Sequence, residues 1–199
     1  MKIIFLKRSL NGDKMNLKEK IENYKCYGIQ EENDKKIILK CLETFEDCLT
    51  RDNEIIHFGS SAFVLNKEKD KCLMVHHNIF NSWSWPGGHA DGDDNLLNVA
   101  IKEVIEETGI KNVTPITEQI LSLNILPVKG HMKNDIYVSP HLHLSIAFLL
   151  LADENEKLII KSDENSNVQW LPIDDLESYV TEEHMKVIYN KIILKIRNI

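Results

Sequence analysis

This chain of 199 residues has no block of basic residues, no CxxC pair and no hydrophobic run long enough for a bilayer. Each absence removes a class of function. Lys and Arg are scattered and the formal net charge is -7, so the broad electrostatic footprint of a binder of duplex nucleic acid or of an anionic membrane is missing, and neither is expected as a partner. The longest apolar stretch, around Leu144 to Ala152, is about half the roughly 20 residues that span a bilayer and reads as a buried strand. The opening MKIIFLKRSL turns basic at Lys7 and Arg8, too soon for a signal-peptide core of about 7 to 15 apolar residues, which leads us to expect a cytoplasmic protein. Met15 opens a second, more ordinary start, so the residues before it are either an upstream start or a tail. Cys26, Cys41, Cys48 and Cys72 lack metal-ligand spacing and are expected to be reduced thiols. Cys41 and Cys48 share one helical face, where free cysteine packs as a small hydrophobe.

What is present belongs to an ordinary globular domain. At 43% hydrophobic and 28% charged residues, the chain can bury a core and needs no special class. From Leu17 to about Leu49 the pattern is helical in two pieces separated near Gly28, with Ile38, Leu42, Phe45 and Leu49 forming an apolar stripe. We take residues 1–50 as an N-terminal helical extension and 51–199 as the main domain. Ile55 to Leu65 and Cys72 to His76, joined by a polar turn, read as a hairpin. A glycine loop then leads into a helix from about Asp94 to Thr108, closed by Gly109 as a left-handed cap. Gln119 to Leu126, His141 to Ala152 and Val168 to Trp170 have strand character, with a long polar loop expected from Pro127 to Pro140. Pro172 to Tyr179 and Thr181 to Arg197 read as helices.

The chemistry gathers on the helix after the glycine loop. Successive helical residues rotate by about 100°, so Glu103, Glu106 and Glu107 converge on one face, largely opposite Leu97, Ile101, Val104 and Ile105. Three carboxylates so placed repel one another, and a hard divalent cation such as Mg²⁺ or Mn²⁺ reverses the sign of that interaction. Taken alone, however, the triplet reads better as a solvated acidic face than as a metal site, because Glu is a good surface helix former.

The framing decides between the two. From Gly88 to Ile110 the sequence GHADGDDNLLNVAIKEVIEETGI resembles the Nudix box, with Gly88, Glu103, Val104, Glu106, Glu107, Gly109 and Ile110 in register. Two positions depart from it: Asp94 stands where the family has Glu, and Lys102 where it has Arg. The entry loop Trp83 to His89 and the segment from Glu164 through Trp170 to Leu176 also look like the family's, so the resemblance runs from about Phe58 to Tyr179. It implies an α+β fold, an α-β-α sandwich around a mixed sheet. It also implies metal ligation by Glu106, Glu107 and the Gly88 carbonyl, with Glu103 as ligand or base and Lys102 orienting a carboxylate. Lys keeps the charge of Arg but loses its planar bidentate fork. Asp94 reads as a helix N-cap. Glu164 is a candidate general base or extra ligand, against the alternative of an exposed loop acid.

Other candidates come from position alone. His141 and His143 share one strand face and can meet phosphate or a second metal, or simply be a hydrogen-bonded strand pair. Lys129, His131 and Lys133 can grip phosphate or be solvated. Trp83 or Trp85 can stack on a base, and His89 follows the glycine loop. The expected function is a Mg²⁺- or Mn²⁺-dependent hydrolase of a phosphate-phosphate bond in a small nucleotide-like substrate, a nucleoside diphosphate linked to another moiety. The alternatives are a non-catalytic nucleotide-sensing or protein-binding module on the same fold, and an interaction protein that uses the N-terminal helical stripe, for instance to form a homodimer.

Overall fold

Two helices precede the sheet, and their boundaries are written in local chemistry. The computed structural model describes residues 15–133 and 135–197; the start expected before Met15 lies outside the described residues. Helix α1 (Leu17–Asn23) begins at Asn16, whose side chain accepts the Glu19 N–H while the Glu19 carboxylate accepts the Asn16 N–H, a reciprocal capping box. Helix α2 (Ile29–Thr44) starts after Gly28, which has φ 84°, a backbone conformation that glycine enters without steric cost. Phe45 caps α2 instead of continuing it, so the apolar stripe runs past the end of the helix.

The sheet is mixed. Strands β1 (Ile56–Leu65), β2 (Lys71–His77), β3 (Ser82–Ser84) and β4 (Gly87–His89) precede helix α3 (Leu96–Thr108). After it come β5 (Val113–Pro115), β6 (Ser122–Val128), β7 (His131–Lys133), β8 (Ile136–Val138), β9 (His141–Ala152) and β10 (Asn165–Pro172). The main order is β10-β2-β1-β9-β5, with β3 on β2, β4 on β1 and β6 on β9. Strands β1 and β9 run parallel at the centre, with His57 level with His143, while the other pairs in this sheet are antiparallel. The expected α-β-α sandwich around a mixed sheet is what the chain forms.

All ten residues of β1 are buried, because both faces of this strand are covered. Phe58, Ala62 and Val64 face a core shared with Leu96, Ala100 and Val104 of α3 and with Ile21, Ile38 and Cys41 of α1 and α2. Phe63 and Leu65 face the other core, with Met185, Tyr189 and Ile192 of helix α5 (Glu183–Ile196). Between β10 and α5 a 3₁₀ turn (Ile173–Asp175) runs into the short helix α4 (Leu176–Tyr179). Cys41, Cys48 and Cys72 are buried and Cys26 is half-buried; all four are free thiols.

Glu31 bolts the helices to this framework. Its buried carboxylate accepts hydrogen bonds from Tyr24 Oη (2.6 Å), the Tyr27 N–H (2.7 Å) and Ser122 Oγ (3.0 Å), and pairs with Lys191 Nζ at 2.9 Å and Lys195 Nζ at 3.5 Å. Burial opposes ionisation, yet the hydrogen bonds and Lys191 hold the group below the ordinary carboxylate value.

Two expectations change. The segment from Pro127 to Pro140 is not one open loop: β6 continues to Val128, and β7 and β8 pair His131 with Val138 and Lys133 with Ile136. Asp135, at φ 63°, supplies the turn in a left-handed conformation that Asp tolerates. Asp94 is not the helix cap; Asn95 is, accepting the Asn98 N–H at 3.4 Å while its own N–H donates to Asp93 Oδ1 at 2.8 Å. An Asx-type turn at Asp93 thus moves the start of the helix one residue on.

Candidate active site

Helix α3 lies across β1 with its carboxylate edge at the glycines of β4. Glu107, 3% exposed, accepts the Gly87 N–H at 2.9 Å on one oxygen and Asn165 Nδ2 at 3.1 Å on the other. Strand β4, helix α3 and strand β10 are therefore tied through one side chain. Burial raises its pKa from 4.5 to about 7, with repulsion from Glu103 and Glu164 adding to the rise and the two hydrogen bonds moderating it.

Glu103 packs directly on Gly88: a Cβ at that glycine would stand 2.4 Å from the Glu103 carboxyl carbon. The cradle exists because residue 88 has no side chain. Burial raises the pKa of Glu103 as well, followed by repulsion from Glu106. Glu106 is the outer member, paired with Lys102 Nζ at 3.7 Å, where both side chains remain partly in water.

Glu164, in the turn before β10, pairs with Lys161 Nζ at 3.0 Å, and its charge reaches both Glu103 and Glu107. The donor set is thus all oxygen, partly dehydrated and mutually repelling. These are conditions that suit a hard divalent cation.

A cavity of about 470 Å³ opens beside these carboxylates and is lined by Gly87, Gly88 and Glu107. Its floor is the face of β1 that carries His57, Gly59 and Ser61, and β9 contributes His141 and His143. His57, which escaped notice in the sequence, is the hub. Its ring centroid lies 5.1 Å from that of His89, 4.8 Å from His141 and 4.9 Å from His143. Burial, then the neighbouring imidazoles, lowers the pKa of His143 to about 2, and burial lowers that of His57, so both rings are neutral.

The remaining candidates separate. Trp85 is buried edge-on against Tyr189 and touches the cavity, as does Ser84. Trp83 does not line it, because alternate residues of β3 face opposite sides; its ring meets His76 at 5.4 Å instead. The aromatic residues that line the cavity include Phe80 and Tyr137, a correction to the choice of Trp83 as a stacking ring. His131 lines the cavity through the β7–β8 hairpin and Lys129 does not. The Lys133 side chain lies outside the described residues. Sequence reasoning also missed Asn165 and Lys161, neither of which carries a local signal.

The comparisons with known proteins agree with this geometry. The family model of the NUDIX domain matches residues 56–192. An RNA pyrophosphohydrolase of Bartonella bacilliformis is 30% identical over 126 residues, covering 59% of this chain and 72% of that protein. A Xenopus laevis protein, nucleoside diphosphate-linked moiety X motif 6, is 37% identical over 54 residues, which are 26% of this chain and only 25% of that protein. Among solved structures, a C. elegans Ap4A hydrolase binary complex has a TM-score of 0.53 at 16% identity, covering 71% of this chain and 98% of that one. The E. coli dihydroneopterin triphosphate pyrophosphohydrolase has a TM-score of 0.51 at 11% identity, covering 69% and 95% respectively; at such identities the likeness is one of fold. A family model spanning well over half the residues, from the first central strand into the last helix, establishes that this chain belongs to the Nudix family as a hydrolase acting on phosphorus-containing anhydrides.

Proposed function

We propose that this hydrolase uses Mg²⁺ or Mn²⁺ to cleave the phosphate-phosphate bond of a nucleoside diphosphate linked to another moiety. The observation that carries the proposal is the convergence of Glu103 and Glu107 on Gly87 and Gly88 at the wall of the cavity. Glu106, Glu107 and the Gly88 carbonyl would hold the ion, with Glu103 as a further ligand or a base. A bound divalent ion offsets the charge of the diphosphate and lowers the pKa of a coordinated water.

The chain's own residues prepare the site for that chemistry. Gly87 and Asn165 orient Glu107 from two sides before any ion arrives, which limits reorganisation during the reaction. Lys102 steadies the exposed Glu106, though as a single point charge it constrains the carboxylate less than a guanidinium would. Glu103, with its raised pKa, and Glu164 are the carboxylates suited to take a proton from water. The neutral imidazoles and the rings of Phe80 and Tyr137 then face the rest of the substrate.

A substrate panel tests this. Nucleotide sugars, dinucleoside polyphosphates, dinucleotide cofactors and nucleoside triphosphates are compared between the wild type and Glu106→Gln, each with Mg²⁺ or Mn²⁺. Turnover of at least one class by the wild type and its loss in the variant are expected. Full activity in Glu106→Gln would overturn the metal role.

A further inference from the structure

Among the described residues, the group whose ligating atoms all lie within 4.8 Å of one another is not the carboxylate set but His57, His89 and His143. The three residues come from three adjacent strands, β1, β4 and β9. Pairing places His57 level with His143 across the parallel β1–β9 ladder, and His89 opposite Gly59 on the other side of β1. Because side chains two apart on a strand share a face, all three rings stand on the cavity side of the sheet.

The hydrogen bonds fix where the lone pairs are. His57 Nδ1 lies 2.8 Å from the Asn53 carbonyl oxygen, which can only accept, so Nδ1 carries the proton and Nε2 the lone pair. That Nε2 is buried and has no hydrogen-bond partner among the described residues, in a residue 4% exposed. An unpartnered buried acceptor is uncommon and asks for an explanation. His141 Nδ1 likewise donates to the Ser139 carbonyl at 2.8 Å, so its Nε2 accepts from His143 Nε2–H at 3.1 Å. His143 then presents Nδ1 as its lone pair. Donation of one ring N–H to a backbone carbonyl is the usual support for a histidine that ligates metal through its other nitrogen.

We propose that His57, His89 and His143 form a second cation site, one for a borderline transition metal of the Zn²⁺ type, separate from the carboxylate site for Mg²⁺ or Mn²⁺. Neutral nitrogen donors favour zinc, nickel or copper, whereas carboxylate and carbonyl oxygens favour magnesium or manganese. A tetrahedral zinc at ~2.0 Å holds nitrogens about 3.3 Å apart, so the set closes by rotation of the two half-buried rings, His89 and His143. Three protein ligands leave a fourth position on the cavity side, open to water or to an oxygen of whatever occupies the cavity. The His57 Nε2 that lacks a partner thereby acquires one.

The test does not depend on hydrolysis. The 199-residue chain, stripped with chelator and kept in excess Mg²⁺ to occupy the carboxylates, is titrated with Co²⁺ while the visible absorption of a tetrahedral nitrogen site is followed. Zn²⁺ is then added to displace the Co²⁺. One ion per chain is expected, bound equally by Glu106→Gln and at least about tenfold more weakly by His57→Asn and by His89→Asn. Histidine ring resonances recorded on the wild type with and without Zn²⁺ cover the case in which a variant fails to fold: those of His57, His89 and His143 should move together. No Co²⁺ or Zn²⁺ binding, binding lost in Glu106→Gln but kept in the histidine variants, or unmoved ring resonances would each overturn the proposal.

Discussion

Replacing Glu107 by Gln removes a buried charge while keeping the shape of the side chain, and the consequence can be worked out. In the metal-free protein the folded-state pKa is about 7 against 4.5 for a fully exposed glutamate, and the group is 3% exposed. A raised folded pKa means that the unfolded chain ionises first as pH rises. The wild type therefore loses stability from about pH 4.5 upward and levels off above about pH 7. The shift corresponds to roughly 3 kcal/mol in full, of which about 2 to 3 kcal/mol develops between about pH 5 and 8. Glu107→Gln has no such dependence at this position, although its amide meets the Asn165 amide less well, a constant offset at every pH. Urea denaturation in the presence of chelator, at pH 5, 6.5 and 8, gives the stability difference between variant and wild type. That difference should move in favour of Gln by about 2 to 3 kcal/mol over the range. Added Mg²⁺ or Mn²⁺ should restore the wild type and leave the variant nearly unchanged. A difference that stays flat with pH would refute the claim that burial of this carboxylate strains the metal-free fold.

Gly88→Ala should leave the melting temperature nearly unchanged, since its Cβ meets the flexible end of Glu103. Displacing that carboxylate by an ångström should lower turnover by about a hundredfold, read from kcat. Gly109→Ala should destabilise by about 1 to 3 kcal/mol in urea melts, because φ is 75° and the new Cβ would stand 2.7 Å from Ile159. Glu31→Ala strips a buried carboxylate from Lys191 and Lys195 and should cost about 3 to 5 kcal/mol. Because the folded-state pKa of Glu31 is lowered, its contribution is present at neutral pH and fades as pH falls through the carboxylate range. Acid titration of stability should accordingly be steeper in the wild type than in Glu31→Ala.

The sequence by itself determined what local rules control. The capped helix ending at Gly109, the break at Gly28, the central strands and the glutamate-bearing face of α3 all follow from periodicity, capping and glycine's freedom at positive φ. The box from Gly88 to Ile110 made the carboxylates legible as a site because its spacing is fixed along a single helix and the strand before it. Boundaries set by a competing side-chain hydrogen bond were displaced, as where Asp93 moved the cap from Asp94 to Asn95. Tertiary structure alone decided what depends on register between distant strands. No local pattern relates His57 to His143, 86 positions apart in the chain, because their meeting is set by the parallel pairing of β1 with β9. In the same way Asn165 reaches Glu107 only once β10 has paired with β2, and Trp83 and Ser84 face opposite ways only once β3 is a strand. The sequence could therefore show the carboxylates, while the imidazole cluster beside them appeared only with the fold.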